Sequence, residues 1–138
     1  MAIEKVKIDS LINAAPEEVW ECYTNPDHIV NWNFATPEWC CPSATNNLTV
    51  GGKYIARMEA KDGSFGFDFE AIYDEIVIPK KLAYTMSDGR KAIVSFNDLN
   101  GKTQAEIIFD AETENSIELQ KAGWQAILDN FAKYVADR

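Results

Sequence analysis

The 138-residue chain is 46% apolar and 25% charged, the balance of one ordinary globular domain able to bury about two-thirds of its unfolded surface. Its net charge of −9 argues against a nucleic-acid backbone or an anionic membrane surface as partner, since both recruit clustered Lys and Arg. No apolar run approaches the roughly 20 residues of a membrane span, and three cysteines, two of them adjacent, make no disulfide framework.

The N-terminus, MAIEKVKIDSLINA, alternates and carries charge, unlike a signal peptide; a cytoplasmic, reducing location is expected. Residues 2–14 set Ile3, Lys5 and Lys7 against Val6 and Ile8, with Leu11 and Ile12 near the end. This is a strand with one buried face, bulged near Asp9–Ser10. Ala15-Pro16-Glu17-Glu18 then opens a helix, with Pro16 in the first turn and acids at the positive end of its dipole. Val19, Trp20 and Tyr23 give that helix an apolar side. Asn25-Pro26-Asp27 ends it and caps a second short helix running through His28, Ile29, Val30 and Trp32.

Residues 33–48, NFATPEWCCPSATNNL, read as an aromatic-bearing loop. A loop of that length packs on something or gates something. From Gly51-Gly52 onward, alternating segments are separated by turn signals. Tyr54, Ala56, Met58 and Ala60 lead to Asp62-Gly63; Phe65, Phe67, Phe69, Ala71 and Tyr73 follow. Pro79-Lys80-Lys81 turns into Leu82, Tyr84 and Met86, and Asp88-Gly89 into Ala92, Val94 and Phe96. Asn100-Gly101, the strongest hairpin dipeptide of the set, leads into Ala105, Ile107 and Phe109. These five strands form an antiparallel meander.

Residues 115–138 carry the longest helical pattern, with Ile117, Trp124, Ile127, Leu128, Phe131 and Val135 on one face. Asn115 and Glu118 have capping-box spacing, and Asp129 and Lys133 have ion-pair spacing. The expected fold is α+β: a six-stranded curved antiparallel sheet wrapped around a long C-terminal helix, with two short helices after the first strand. Residues 1–138 would form one domain.

The inward strand positions are Tyr54, Met58, Phe67, Phe69, Tyr84, Met86, Val94, Phe96, Ile107 and Phe109. With Trp124, Ile127 and Leu128 from the helix, and Trp32, Phe34 and Trp39 from the front segments, they line the space between layers. Each alone is ordinary core. Together they suggest a pocket, because buried tyrosine and indole groups want polar partners. Gly123, mid-helix, either opens space beside Trp124 or allows close helix–sheet approach. Gln120, one turn earlier, is the best polar candidate on the helix face toward the pocket.

Other chemistry is poorly supported. Cys40 and Cys41 lack the further ligands a metal site needs, so neither metal nor cofactor is expected, and Cys22 reads as a small apolar residue. His28 follows a helix start, where a surface role fits. Carboxylates at Glu59, Asp68, Glu70, Glu106 and Asp110 alternate outward to water, unless a bulge reverses them. Gly51-Gly52 is a turn rather than a phosphate loop.

Several segments, in this order and spacing, resemble the START-like (SRPBCC, helix-grip) superfamily, and within it homologues of the heat-shock-protein ATPase activator. They are Ala15-Pro16-Glu17-Glu18-Val19-Trp20, Asn25-Pro26 with Trp32, Val50-Gly51-Gly52-Lys53-Tyr54, Asp62-Gly63, Pro79-Lys80-Lys81-Leu82, and Gly123-Trp124 with Leu128. The resemblance covers essentially the whole chain and implies the helix-grip fold. Its members include hydrophobic-ligand carriers, polyketide aromatase/cyclases, resistance proteins and co-chaperone domains linked to the stress response. The eukaryotic co-chaperone has an added N-terminal chaperone-binding domain for which 138 residues leave no room, so ATPase activation is not expected to carry over.

The expected function is binding of a small hydrophobic or aromatic molecule between sheet and C-terminal helix, with residues 33–48 as lid or entrance. An aromatase/cyclase-like or lyase-like enzyme is the alternative; it needs an inward Asp, Glu, Arg or His. A protein-interaction domain, such as a chaperone accessory, is the third reading. It predicts an exposed patch formed from Trp32, Phe34 and Trp39. Monomer and homodimer both fit the sequence.

Overall fold

The computed structural model describes residues 4–138; Ile3, assigned above to the first strand, lies outside the described residues. The elements follow as β1 (Lys5–Ile12), α1 (Pro16–Thr24), α2 (Pro26–Ile29), β2 (Trp39–Asn46), β3 (Lys53–Ala60), β4 (Gly66–Val77), β5 (Lys81–Met86), β6 (Lys91–Leu99), β7 (Lys102–Asp110) and α3 (Ile117–Ala136). All strands join one antiparallel sheet in the order β1-β7-β6-β5-β4-β3-β2.

The sheet has seven strands where six were expected, because part of the supposed loop 33–48 is β2. Its periodicity is broken by Pro42, which cannot donate to a ladder and is tolerated at an edge or bulge. The β2–β3 register shifts between Cys40 and Ser43, where Pro42 sits.

The bulge expected near Asp9–Ser10 is absent: β1 pairs with β7 without a shift from Lys5↔Asp110 to Ile12↔Thr103. The adjacent Leu11 and Ile12 obey simple alternation, with Ile12 buried and Leu11 55% exposed. A bulge does occur in β4, between Tyr73 and Glu75. It absorbs one residue and returns Ile76 to the core side, so no carboxylate turns inward there.

The hairpins form where the turn dipeptides stand. Asn100 and Gly101 both have positive φ, 56° and 88°, the conformation that a two-residue type I′ turn requires. α1 starts at Pro16 and buries Val19, Trp20 and Cys22. The Asn25 side chain accepts from the Asp27 amide to start α2.

α3 is capped by Ser116 rather than Asn115. The Ser116 hydroxyl accepts from the Leu119 amide at 3.1 Å, and the Asn115 amide donates instead to Glu112. Asp129 accepts from Gln125 at 2.9 Å, and no Asp129–Lys133 ion pair occurs among the described residues.

The main contacts of α3 are with β1 and α1. Trp124 stacks on Phe109 of β7 with ring centroids 4.0 Å apart, and Gln125 donates to the Asp9 carbonyl. One end of the interlayer space is solid. There Phe96 meets Trp20 and Tyr23 edge-on, and Phe131 packs on Tyr23 and Trp32. Toward β3, β4 and β5 the helix does not close on the sheet, and space remains. No described helix is long and apolar enough to cross a membrane.

Candidate ligand-binding cavity

That space is a cavity of about 160 Å³. Alternation along β3, β4 and β5 places Tyr54, Met58, Phe67, Phe69 and Tyr84 on its lining. Ile107 comes from β7, and Trp124, Ile127 and Leu128 from α3. Trp32, after α2, closes one side. Phe67 lines the cavity and is also 42% exposed, so it marks the mouth.

Four further lining residues were not singled out as site residues: Tyr23, Asn33, Tyr73 and Leu82. Tyr73 and Leu82 share strand parity with Ala71 and Tyr84, and Tyr23 lies on the apolar side of α1, so the pattern contained all three. Nothing in the sequence around Asn33 signals its role. It comes from the tertiary placement of the segment after α2.

Seven expected residues lie elsewhere, Val94 and Phe109 among them as fully buried core. Phe34 is not on the lining, and its backbone carbonyl accepts from Asn130. Trp39 packs on Phe65 and Phe67 on the outer side of the mouth, with centroids 6.0 and 6.2 Å away. Met86 is buried at the Arg90 end of β5, outside the cavity lining. Phe96 belongs to the solid core beside Trp20. Gln120 is buried but serves the chain: its Oε1 accepts from the Glu112 amide, and its Nε2 donates to the Glu112 and Asn115 carbonyls. It pins the loop before α3.

Of the loop 33–48 expected as lid or entrance, residues 39–46 are an edge strand of the sheet, with Trp39 packed on Phe67 at the mouth. The proposed surface patch of Trp32, Phe34 and Trp39 does not form. Trp32 is buried, and its indole N–H donates to the Cys22 carbonyl at 2.9 Å. An aromatic cluster that does reach the surface joins half-buried Trp39 to exposed Phe65 and Phe67.

Tyrosines dominate the polar chemistry of the cavity. The Tyr73 hydroxyl donates to Asn46 Oδ1 at 2.9 Å, while Asn46 Nδ2 donates to the Thr24 carbonyl. The Tyr54 oxygen accepts from Asn33 Nδ2 at 3.2 Å. Burial pushes the Tyr73 phenol up to about 12. The same desolvation raises Tyr23, Tyr54 and Tyr84 above the ordinary phenol range. A phenol so shifted stays protonated at neutral pH. Among the described residues no Asp, Glu, Lys, Arg or His lines the cavity.

The other candidates resolve locally. Cys41 is buried and Cys40 is not; desolvation pushes the Cys41 thiol up to about 11, the reverse of an activated thiol. No group of three or more His, Cys, Asp or Glu that could hold a metal ion occurs among the described residues. His28 is not simply a surface group: its Nδ1 hydrogen-bonds the Tyr134 hydroxyl at 2.7 Å and ties α2 to α3. A Cβ built on Gly123 would meet nothing within 4 Å, which favours open space over close helix–sheet approach. Asp110, expected to face water, is 3% exposed and hydrogen-bonded to Lys5 Nζ and the Lys91 amide.

Residues 13–136 match the family model described as activator of Hsp90 ATPase homolog 1-like protein. The chain is 40% identical to an AHSA1-like protein of Aeromonas hydrophila, whose solution NMR structure aligns with a TM-score of 0.92 over 97% of this chain and 93% of that one. A Cytophaga hutchinsonii protein is 41% identical, with a TM-score of 0.83 and coverage of 96% and 92%. A Chromobacterium violaceum crystal structure at 20% identity shares the fold, with a TM-score of 0.86 over 96% of this chain and 98% of that one. None of the curated proteins matches.

Proposed function

The chain belongs to the family of activator of Hsp90 ATPase homolog 1-like proteins, within the START/SRPBCC helix-grip superfamily, and from that premise we propose that it binds a small apolar or aromatic molecule between sheet and α3. The observation that carries this reading is the cavity of about 160 Å³ with its mouth at Phe67. A dry apolar cavity of about 150 Å³ is large enough for a benzene ring. Burying roughly 150 Å² of such a ring is worth about 4 kcal/mol at 25 cal/mol per Å². That corresponds to a dissociation constant of about a millimolar, so a physiological ligand gains affinity through polar contacts or by continuing past Phe67 over Phe65 and Trp39.

The enzyme reading is less well supported, because the cavity's titratable side chains are tyrosines held neutral by burial and, among the described residues, no base lines the cavity to pair with them. The protein-docking reading keeps one observation, the cluster of exposed Phe65 and Phe67 with half-buried Trp39. A cytoplasmic setting fits the three free cysteines.

The test is a two-dimensional NMR titration with benzene and toluene, paired with native mass spectrometry of the purified protein. Shifts confined to Trp124, Tyr84 and Leu128 are expected. Their absence at saturating probe would overturn the proposal.

A further inference from the structure

The four phenols around the cavity differ in what their protons do. Tyr73 spends its proton on Asn46. Tyr54 accepts from Asn33, which leaves its own proton unspent. Tyr23 and Tyr84 make no side-chain hydrogen bond among the described residues. Yet every fully enclosed polar side-chain atom among those residues has a partner. The two free hydroxyls therefore reach open space, and the cavity that both residues line is that space. Tyr84 is only 8% exposed, so little of its side chain meets bulk water.

Among the described residues the cavity thus presents three unspent O–H donors and no charged side chain. An unmatched buried donor is costly, so the site favours a ligand bearing an acceptor. A carboxylate could accept these protons, but it would sit in an apolar cavity with no cationic side chain among the described lining residues, Arg90 acting on Tyr84 only from outside that lining. A cation would meet the aromatic faces, but it would also face the positive ends of the O–H dipoles.

We propose that the cavity selects an uncharged ring compound carrying a hydrogen-bond-accepting oxygen, such as an aryl ketone, with Tyr84 as its principal donor and Tyr23 and Tyr54 beside it. This rests on the binding reading above and adds the polar end of the ligand to it. The Tyr84 hydroxyl donates to the ligand oxygen while the ring lies among Phe69, Trp124 and Leu128. Burial keeps the phenols in the donating, protonated form.

Four probes of equal size and shape separate the possibilities: acetophenone, its hydrocarbon counterpart α-methylstyrene, benzoate and benzamidinium. Each is titrated into wild type, Tyr84→Phe and Tyr73→Phe, and followed at the Trp124 indole N–H. In wild type, acetophenone is expected to bind about three- to tenfold more tightly than α-methylstyrene, the value of one net hydrogen bond. The two ions should give no saturable shift. Tyr84→Phe should remove the ketone's advantage over the hydrocarbon, with retained amide dispersion in the variant's NMR spectrum reporting an intact fold. Tyr73→Phe, whose proton is already committed to Asn46, should preserve the advantage. Equal binding of ketone and hydrocarbon in wild type would overturn the acceptor inference while leaving the cavity reading intact. Preferential binding of benzoate or benzamidinium would also overturn it. Failure of all four probes would overturn the cavity reading itself.

Discussion

Asp110 shows how far a side chain's burial can depart from what strand parity implies. It stands on the outer face of β7, where alternation sends carboxylates to water, yet Lys5 Nζ lies 2.6 Å from it and the Lys91 amide 2.9 Å. Burial opposes its charge, but the bond from Lys5 and the Lys91 amide outweigh burial and hold the carboxyl below its usual range. A folded-state value below the unfolded one stabilises the fold above the unfolded pKa of about 3.9, and that stability is lost as pH falls through the lower folded value. Asp110→Asn should therefore cost about 1–2 kcal/mol at pH 7 in urea melts, and the deficit should shrink at pH 3. An equal deficit at both values would show that charge is not the cause. The sequence gives the direction of this side chain but not its partner, because Lys5 is 105 residues away and the pairing exists only once the sheet has formed. Tyr84 was readable from alternation alone, whereas the free state of its proton was not.

Among the elements, α3 was the clearest in the sequence and β2 the least clear. The apolar stripe of α3 set its length to within a few residues, although Asn115 and Ser116 are both competent caps and only the folded loop selects Ser116. β2 was hidden because Pro42 and the bulge beside it erase the two-residue period. Gly123 gives a direct test of the helix's fit. Glycine in a helix interior costs up to about 1 kcal/mol relative to alanine, and a Cβ at this position would meet nothing within 4 Å. Gly123→Ala should raise stability by about 0.5–1 kcal/mol in denaturant melts. A loss of stability would mean that α3 approaches the sheet more closely than the structure describes.

Across the molecule, alternation assigned side chains to the inner layer correctly, but it carries no information on height along a strand. Met86 and Phe96 share parity with Tyr84 and Val94 yet lie beyond the cavity's ends, while Tyr73 and Leu82 lie within it. The cavity arises because α3 rests toward β1, leaving β3–β5 uncovered, and its size depends on the residues that plug the gap. Leu128 is one of them, 2% exposed and on the cavity wall. Leu128→Ala should cost about 2–5 kcal/mol and, by enlarging the space, admit naphthalene in an NMR titration where wild type takes only one ring. The sheet order has a further consequence, in time. β2 to β7 are joined by local hairpins, but β1 pairs with β7 across nearly the whole sequence. Closing a loop of 105 residues costs about 4 kcal/mol of chain entropy, so the hairpins can zip early while β1 docks late. α3 rests on β1, so the site is completed last. A nascent or partly unfolded chain would present an open aromatic sheet face before it could hold any ligand.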